Sequence, residues 1–104
     1  MLKNLFDMEN LKRKVESVKE ELKREKVVSE SGGGMIRIKA NGFGDIIKLE
    51  IEDELLKEKD KSLLEDLIIA AVNMSREKTK DLFQQKMQEA IGFLPLDGIK
   101  DLIS

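Results

Sequence analysis

The chain has 104 residues, with 19 Lys and Arg against 21 Asp and Glu for a net charge of −2, and its apolar 40% is largely aliphatic, since aromatic residues make up only 4%. With neither cysteine nor histidine, it has no thiol nucleophile, no disulfide framework, no thiolate zinc site and no imidazole to serve as general base or metal ligand. An enzyme and a transition-metal centre are therefore not expected. One domain with a modest core is expected, and its mildly acidic balance is unlike the strongly basic surface by which nucleic-acid-binding domains usually announce themselves.

The opening residues Met1-Leu2-Lys3-Asn4-Leu5-Phe6-Asp7 are punctuated by charge, and no later stretch has the roughly 20 apolar residues of a membrane span. The expected location is the cytoplasm, with no membrane partner. Residues 2–25 read as an amphipathic helix. Met8, Leu11, Val15, Val18 and Leu22 recur at alternating intervals of three and four, the narrow seam of a coiled coil, which calls for a partner helix. Residues 1–26 are also the only basic part of the chain, with eight Lys and Arg against six Asp and Glu.

Three alternating segments follow. Val27 to Ser31 is rich in β-branched residues and ends at Gly32-Gly33-Gly34. Met35 to Ala40 puts Ile36, Ile38 and Ala40 on one face and Arg37 and Lys39 on the other. Asp45 to Glu52 does the same with Ile47, Leu49 and Ile51 against Lys48, Glu50 and Glu52. Between the last two, Asn41-Gly42-Phe43-Gly44 is a strong turn signal. The pattern predicts an antiparallel meander with one apolar and one charged face. A phosphate-binding role for the three glycines would need a helix directly after them, and a strand follows instead. Glu50 with Glu52, and Asp53 with Glu54, read as solvated surface carboxylates.

After a charged turn at 57–60, a long helix is predicted to run to Gly92. Ser62-Leu63-Leu64-Glu65 has capping-box spacing, with Asp60 as a rival cap two residues earlier. Leu63, Leu64, Leu67, Ile68, Ala71 and Val72 form a broad apolar face. The stripe thins through Ser75-Arg76-Glu77-Lys78-Thr79-Lys80 and resumes at Leu82, Phe83, Met87, Ala90 and Ile91. Such a helix is longer than a domain of this size is wide, so its far half should project or pack on another subunit. Residues 93–104, with Phe93, Leu94, Leu96, Ile99, Leu102 and Ile103, form an apolar tail expected to dock. Asn73-Met74-Ser75 matches a glycosylation acceptor by chance.

Taken in order, Ser31-Gly32-Gly33-Gly34-Met35-Ile36, Asn41-Gly42-Phe43-Gly44, Ile51, Leu55-Leu56 and Leu63 to Asn73 resemble the YbaB/EbfC family of bacterial nucleoid-associated proteins, over essentially the whole chain. The resemblance implies an α+β fold, a homodimer with projecting helical arms, binding to DNA, a nucleoid location and no cofactor. On this reading residues 1–104 are one DNA-binding domain, comprising a helical arm (1–26), a β-meander (27–52), a long helix (60–92) and the tail (93–104).

The candidate DNA-contacting residues are Lys12, Arg13, Lys14, Lys19, Lys23 and Arg24 on the first helix, and Arg76, Lys78, Lys80 and Lys86 on the second. Gln84, Gln85 and Gln88 could touch backbone or base edges. Each of these residues is equally an ordinary solvated helix residue, because acidic residues are interleaved among them. The rival class is a protein-interaction adaptor or small holdase built on the same coiled coil, which would bind no DNA. Protein partners other than a second copy cannot be read from the sequence.

Overall fold

The computed structural model describes residues 2–92, with side chains from Met8 onward; the apolar tail at 93–104 lies outside the described residues. The element order is α1 (Leu2–Arg24), β1 (Val27–Ser31), β2 (Ile36–Ala40), β3 (Ile46–Ile51), α2 (Asp53–Lys57) and α3 (Lys61–Ile91). The strands form one antiparallel sheet in the order β1-β2-β3, the α+β layout expected from the alternation. Gly32, Gly33 and Gly34 make a tight 3-10 turn between β1 and β2, and all three have positive φ. Gly32 also lies against α3, where a Cβ would sit 2.9 Å from Leu67 Cδ1. The glycines are therefore a structural connection.

Two separate apolar clusters hold the molecule together. In the body, Ile36, Ile38, Leu55 and Ala71 are buried, with Leu63, Leu64, Leu67, Ile68 and Val72 packed around them. The first half of α3 thus lies across β1 and β2, and the Ser31 hydroxyl donates to the Leu67 carbonyl at 2.6 Å. In the arm, Leu11, Val15, Val18 and Leu22 of α1 join Met87 and Ile91 of α3, flanked by Leu82, Phe83 and Ala90. The seam on α1 does want a partner helix, and the partner is the second half of α3 in the same chain. Met8, the first residue of the seam, stays half exposed because it lies a turn beyond Leu11, where α3 is ending.

At 31 residues, α3 is about 46 Å long. The molecule measures 66 × 22 × 18 Å with a radius of gyration of 18.4 Å, against about 13 Å for a compact domain of this length. The second half of α3 does leave the body, carrying α1 antiparallel on it. Where the apolar stripe thins, the buried positions of α3 are Ser75 and Thr79, facing the sheet where β1 contributes the fully buried Ser29. Small side chains let the helix backbone approach the strand, so the gap in the apolar pattern marks the closest crossing.

Three local expectations are corrected. Asp60, not Ser62, caps α3: its carboxylate accepts from the Leu63 amide at 3.0 Å and the helix begins at Lys61. Residues 53–57, unassigned in the sequence, form a short helix that buries Leu55. The alternation of β3 is interrupted, because Lys39 pairs with Lys48 while Ala40 pairs with Ile46, leaving Ile47 as the extra residue of a bulge.

The crossing yields a stability prediction. Ser29 is fully buried and its hydroxyl has no hydrogen-bond partner among the described residues, so volume decides a substitution there: Ser29→Leu is expected to cost about 1–3 kcal/mol through overpacking, measured as a lower denaturation midpoint with an unchanged slope. An unchanged midpoint would show that α3 and β1 are not closely packed there.

Candidate nucleic-acid interface

The exposed charge of the arm is set by where its seam points. On α1 the buried residues Leu11, Val15, Val18 and Leu22 face α3. At about 100° per residue, Lys12, Lys19 and Lys23 fall within roughly 40° of one another, a quarter turn to one side of that seam. Glu21 lies a quarter turn to the other side. There it meets Lys86 of α3, whose ammonium is 3.6 Å from Glu21 and 3.6 Å from Glu25. This bridge marks one flank of the helix pair. Because the helices are antiparallel, their corresponding flanks lie on the same side. Gln84 and Gln88, on the side of α3 away from Lys86, therefore lie beside the stripe of Lys12, Lys19 and Lys23, while Arg76 and Lys80 lie nearer the body, beyond the C-terminal end of α1.

The ten candidate cations are thus sorted by geometry. Lys12, Lys19 and Lys23 share one flank of α1, and Arg76 and Lys80 are exposed on α3 nearer the body. Among the described residues, Lys12, Arg76 and Lys80 have no carboxylate within ion-pair distance, while Lys19 and Lys23 make long, exposed contacts to Glu16 at 3.5 Å and Glu20 at 3.4 Å. Such pairs are worth little and yield readily to a stronger anion. Arg13 and Arg24 point away from α3 on the outer face, Arg13 near Glu9 at 3.9 Å. Lys14 lies on the flank of Glu21. The run Lys12-Arg13-Lys14, the densest positive stretch of the sequence, is spread over three faces.

Two candidates are committed within the fold. Lys86 bridges the helices, and its pKa is raised by the charge of Glu21, with Glu25 adding to the effect against partial desolvation. Lys78 donates to the Val28 carbonyl at 2.8 Å, covering the free edge of β1 with a cation. Neither was distinguishable from the other lysines by sequence, because the distinction depends on which helix face meets which neighbour.

The other sheet edge contrasts with β1. Among the described residues nothing hydrogen-bonds to the outer side of β3, and Ile46, Ile47 and Leu49 are 48%, 59% and 45% exposed. α3 covers β1 and β2 and leaves the apolar side of β3 open. A bare apolar edge strand is a template for pairing with another chain. Sequence alternation gave Ile47 and Leu49 an apolar face, but not the absence of a layer over it. Among the described residues no group of His, Cys, Asp and Glu could hold a metal ion, and no helix is long and apolar enough to cross a membrane.

The Lys86 bridge has a defined pH signature. Because its pKa is raised in the folded arm, its contribution is present below the ordinary lysine value of 10.5 and is lost as pH rises through the higher folded value. Wild type should melt above Lys86→Gln at pH 8, and the difference should shrink above pH 10.5. A difference that persisted at pH 12 would mean that the bridge is not its source.

The sequence pattern of the YbaB/EbfC DNA-binding family matches residues 1–94. A nucleoid-associated protein of Sulfurihydrogenibium sp. (strain YO3AOP1) is 43% identical over 92 residues, covering 88% of this chain and 83% of that protein. One of Pelotomaculum thermopropionicum is 33% identical over 99 residues, covering 95% and 94%. Among solved structures, the crystal structure of the uncharacterized protein HP0035 from Helicobacter pylori superposes with a TM-score of 0.64 at 28% identity, over 84% of this chain and 98% of that one.

Proposed function

The chain belongs to the YbaB/EbfC DNA-binding family, and from that membership we propose that it binds duplex DNA in the nucleoid as a homodimer, through phosphate contacts made by one flank of each helical arm. The family is one of DNA-binding, nucleoid-associated proteins and not of enzymes. The observation that carries the finer reading is the segregation of charge on the arm. A chain of net charge −2 collects Lys12, Lys19 and Lys23 along one side of α1, while Glu21 and Glu25 are held on the other by Lys86. Local concentration of cations, not net charge, sets the field that a duplex meets at close range.

Three cations on one flank of an arm are few for tight binding. Two arms on one dimer raise the affinity by making the second contact intramolecular. The dimer face proposed is the open side of β3, where a second copy would cover Ile46, Ile47 and Leu49 and supply neighbours to the free edge in a symmetric interface. This replaces the seam of α1 as the reason for a dimer, since that seam is covered within the chain. Contacts of this kind carry no base readout of their own, and a cytoplasmic, nucleoid-bound protein shaping DNA or its expression is the role they fit.

Two measurements test this reading. Retardation of random duplexes across a salt series should give a log K against log salt slope of roughly −2 to −4, corresponding to about two to five phosphate contacts per dimer. Reversing Lys12, Lys19 and Lys23 to Glu should flatten that slope and weaken binding, whereas reversing Arg13 and Lys14 should do neither. A wild-type protein that retards no DNA at low salt would instead be a protein-interaction adaptor. Sedimentation equilibrium at micromolar concentration should give about twice the 11.9 kDa chain mass. Leu49→Asp should reduce that to the chain mass while leaving far-UV dichroism unchanged; a Leu49→Asp dimer would move the interface elsewhere.

A further inference from the structure

We propose that the β2–β3 turn, Asn41-Gly42-Phe43-Gly44, is a positioning element that fixes the angle of the arm to the body and so sets where the basic flank meets DNA; the second half of this inference rests on the DNA-binding reading above. The need for such an element follows from the two cores. The arm cluster and the body cluster share no buried residue. Between them α3 passes through Ser75 and Thr79, where the Thr79 hydroxyl lies 3.0 Å from the Ser75 carbonyl and 3.1 Å from that of Arg76. Back-bonding of this kind bends helices. A long helix that changes partner at a back-bonded stretch is most easily bent there, even where it packs closely on the strand.

The turn spans this point and touches both helices of the arm. The Gly42 amide donates to the Leu22 carbonyl at 2.7 Å, in the last turn of α1, where the same carbonyl also accepts from the Glu25 amide at 3.3 Å. The approach is so close that a Cβ on Gly42 would lie 2.7 Å from the Leu22 carbonyl oxygen and 2.9 Å from Leu22 Cα. Phe43 places its ring 6.4 Å from that of Phe83 on α3, centroid to centroid. Gly44, at φ +89, brings the chain against Thr79 itself, where a Cβ would be 3.3 Å from the hydroxyl oxygen.

The turn is itself held in shape. The Asn41 side-chain oxygen accepts from the amides of Phe43 at 2.9 Å and Asp45 at 3.1 Å, and its amide donates to Asp45 Oδ2 at 3.1 Å. Phe43 remains 41% exposed, so its contact with Phe83 contributes modestly to the core while still bracing the arm. A preformed turn, rooted in the sheet, bonded to α1 and packed against α3 at the crossing and just beyond it, holds the arm at one angle.

The chain has no cysteine, which makes distance labelling direct. Nitroxides on Ser17→Cys, on the outer face of α1, and Glu54→Cys, on the body, would be measured by pulsed electron resonance in full-length protein diluted with unlabelled chain. The parent should give one narrow distance distribution. Gly42→Ala, which forces the turn off Leu22, and the milder Phe43→Ala should broaden or shift it while far-UV dichroism is retained. In the unlabelled protein, both variants should flatten the slope of log K against log salt by about one, with a loss of affinity on the order of tenfold at 0.1 M salt for each contact forgone. Mere destabilisation would lower the active fraction and leave that slope unchanged. Folded variants with the parental distribution would overturn the proposal, as would a broadened distribution with parental DNA affinity and slope. If the wild-type protein bound no DNA, the functional reading would fall, together with the turn's role in binding, while the distances would still decide whether the turn fixes the arm.

Discussion

The constraint on which the structure depends is that one continuous helix must cover two apolar surfaces at once. The first half of α3 closes the β1–β2 half of the sheet over Ile36 and Ile38, and its second half closes the seam of α1 over Val15 and Leu22. Apart from Leu55 of α2 over the sheet, α3 supplies the buried residues that cover both surfaces. The buried stripe changes character between them, from Leu, Ile and Ala to Ser75 and Thr79 and then to Phe83 and Met87. The elongated shape and the small-residue crossing follow from this double duty.

The charge pattern follows as well. Once α3 fixes which side of α1 is buried, every other residue of α1 is assigned a face. Acidic residues, nearly as numerous as basic ones along the first helix, do not cancel them in space. A protein without a basic isoelectric point thereby presents a basic stripe, and the acidic side is turned away and bridged. The uncovered strand β3 is the complementary consequence. The helix that might have covered it is extended along the arm, which leaves Ile47 and Leu49 for a neighbouring molecule.

Much of this was legible in the sequence, and the limits have physical reasons. Periodicity identified α1, the three strands and α3 nearly to the residue, because each buries one face and its pattern records that face. What periodicity cannot record is the identity of the neighbour. The seam of α1 read as a dimer contact although α3 fills it, and α3 read as too long for one subunit although its far half is paired within the chain. The competition between Asp60 and Ser62 is settled by one turn of backbone geometry, and α2 is too short to carry a period. For the candidate interface, residue type and approximate location could be read, while selection among the cations could not. Lys86 and Lys80 are equivalent in sequence, yet Lys86 bridges to Glu21 and Glu25 of α1 and Lys80 has no carboxylate within ion-pair distance among the described residues. The turn at 41–44 was visible as a turn, but its contacts with Leu22, Thr79 and Phe83 join residues far apart in the chain.

The central claim is that one flank of the arm, and not the arm as a whole, meets the duplex. Amide and lysine side-chain resonances of isotope-labelled protein, followed by NMR as a short duplex is added at low salt, test it most directly. Lys12, Lys19 and Lys23 should shift and broaden together and recover as salt is raised, while Glu21, Glu25 and Lys86 remain near their starting positions. Equal perturbation of both flanks, or perturbation centred on β3 with the arm silent, would contradict the account.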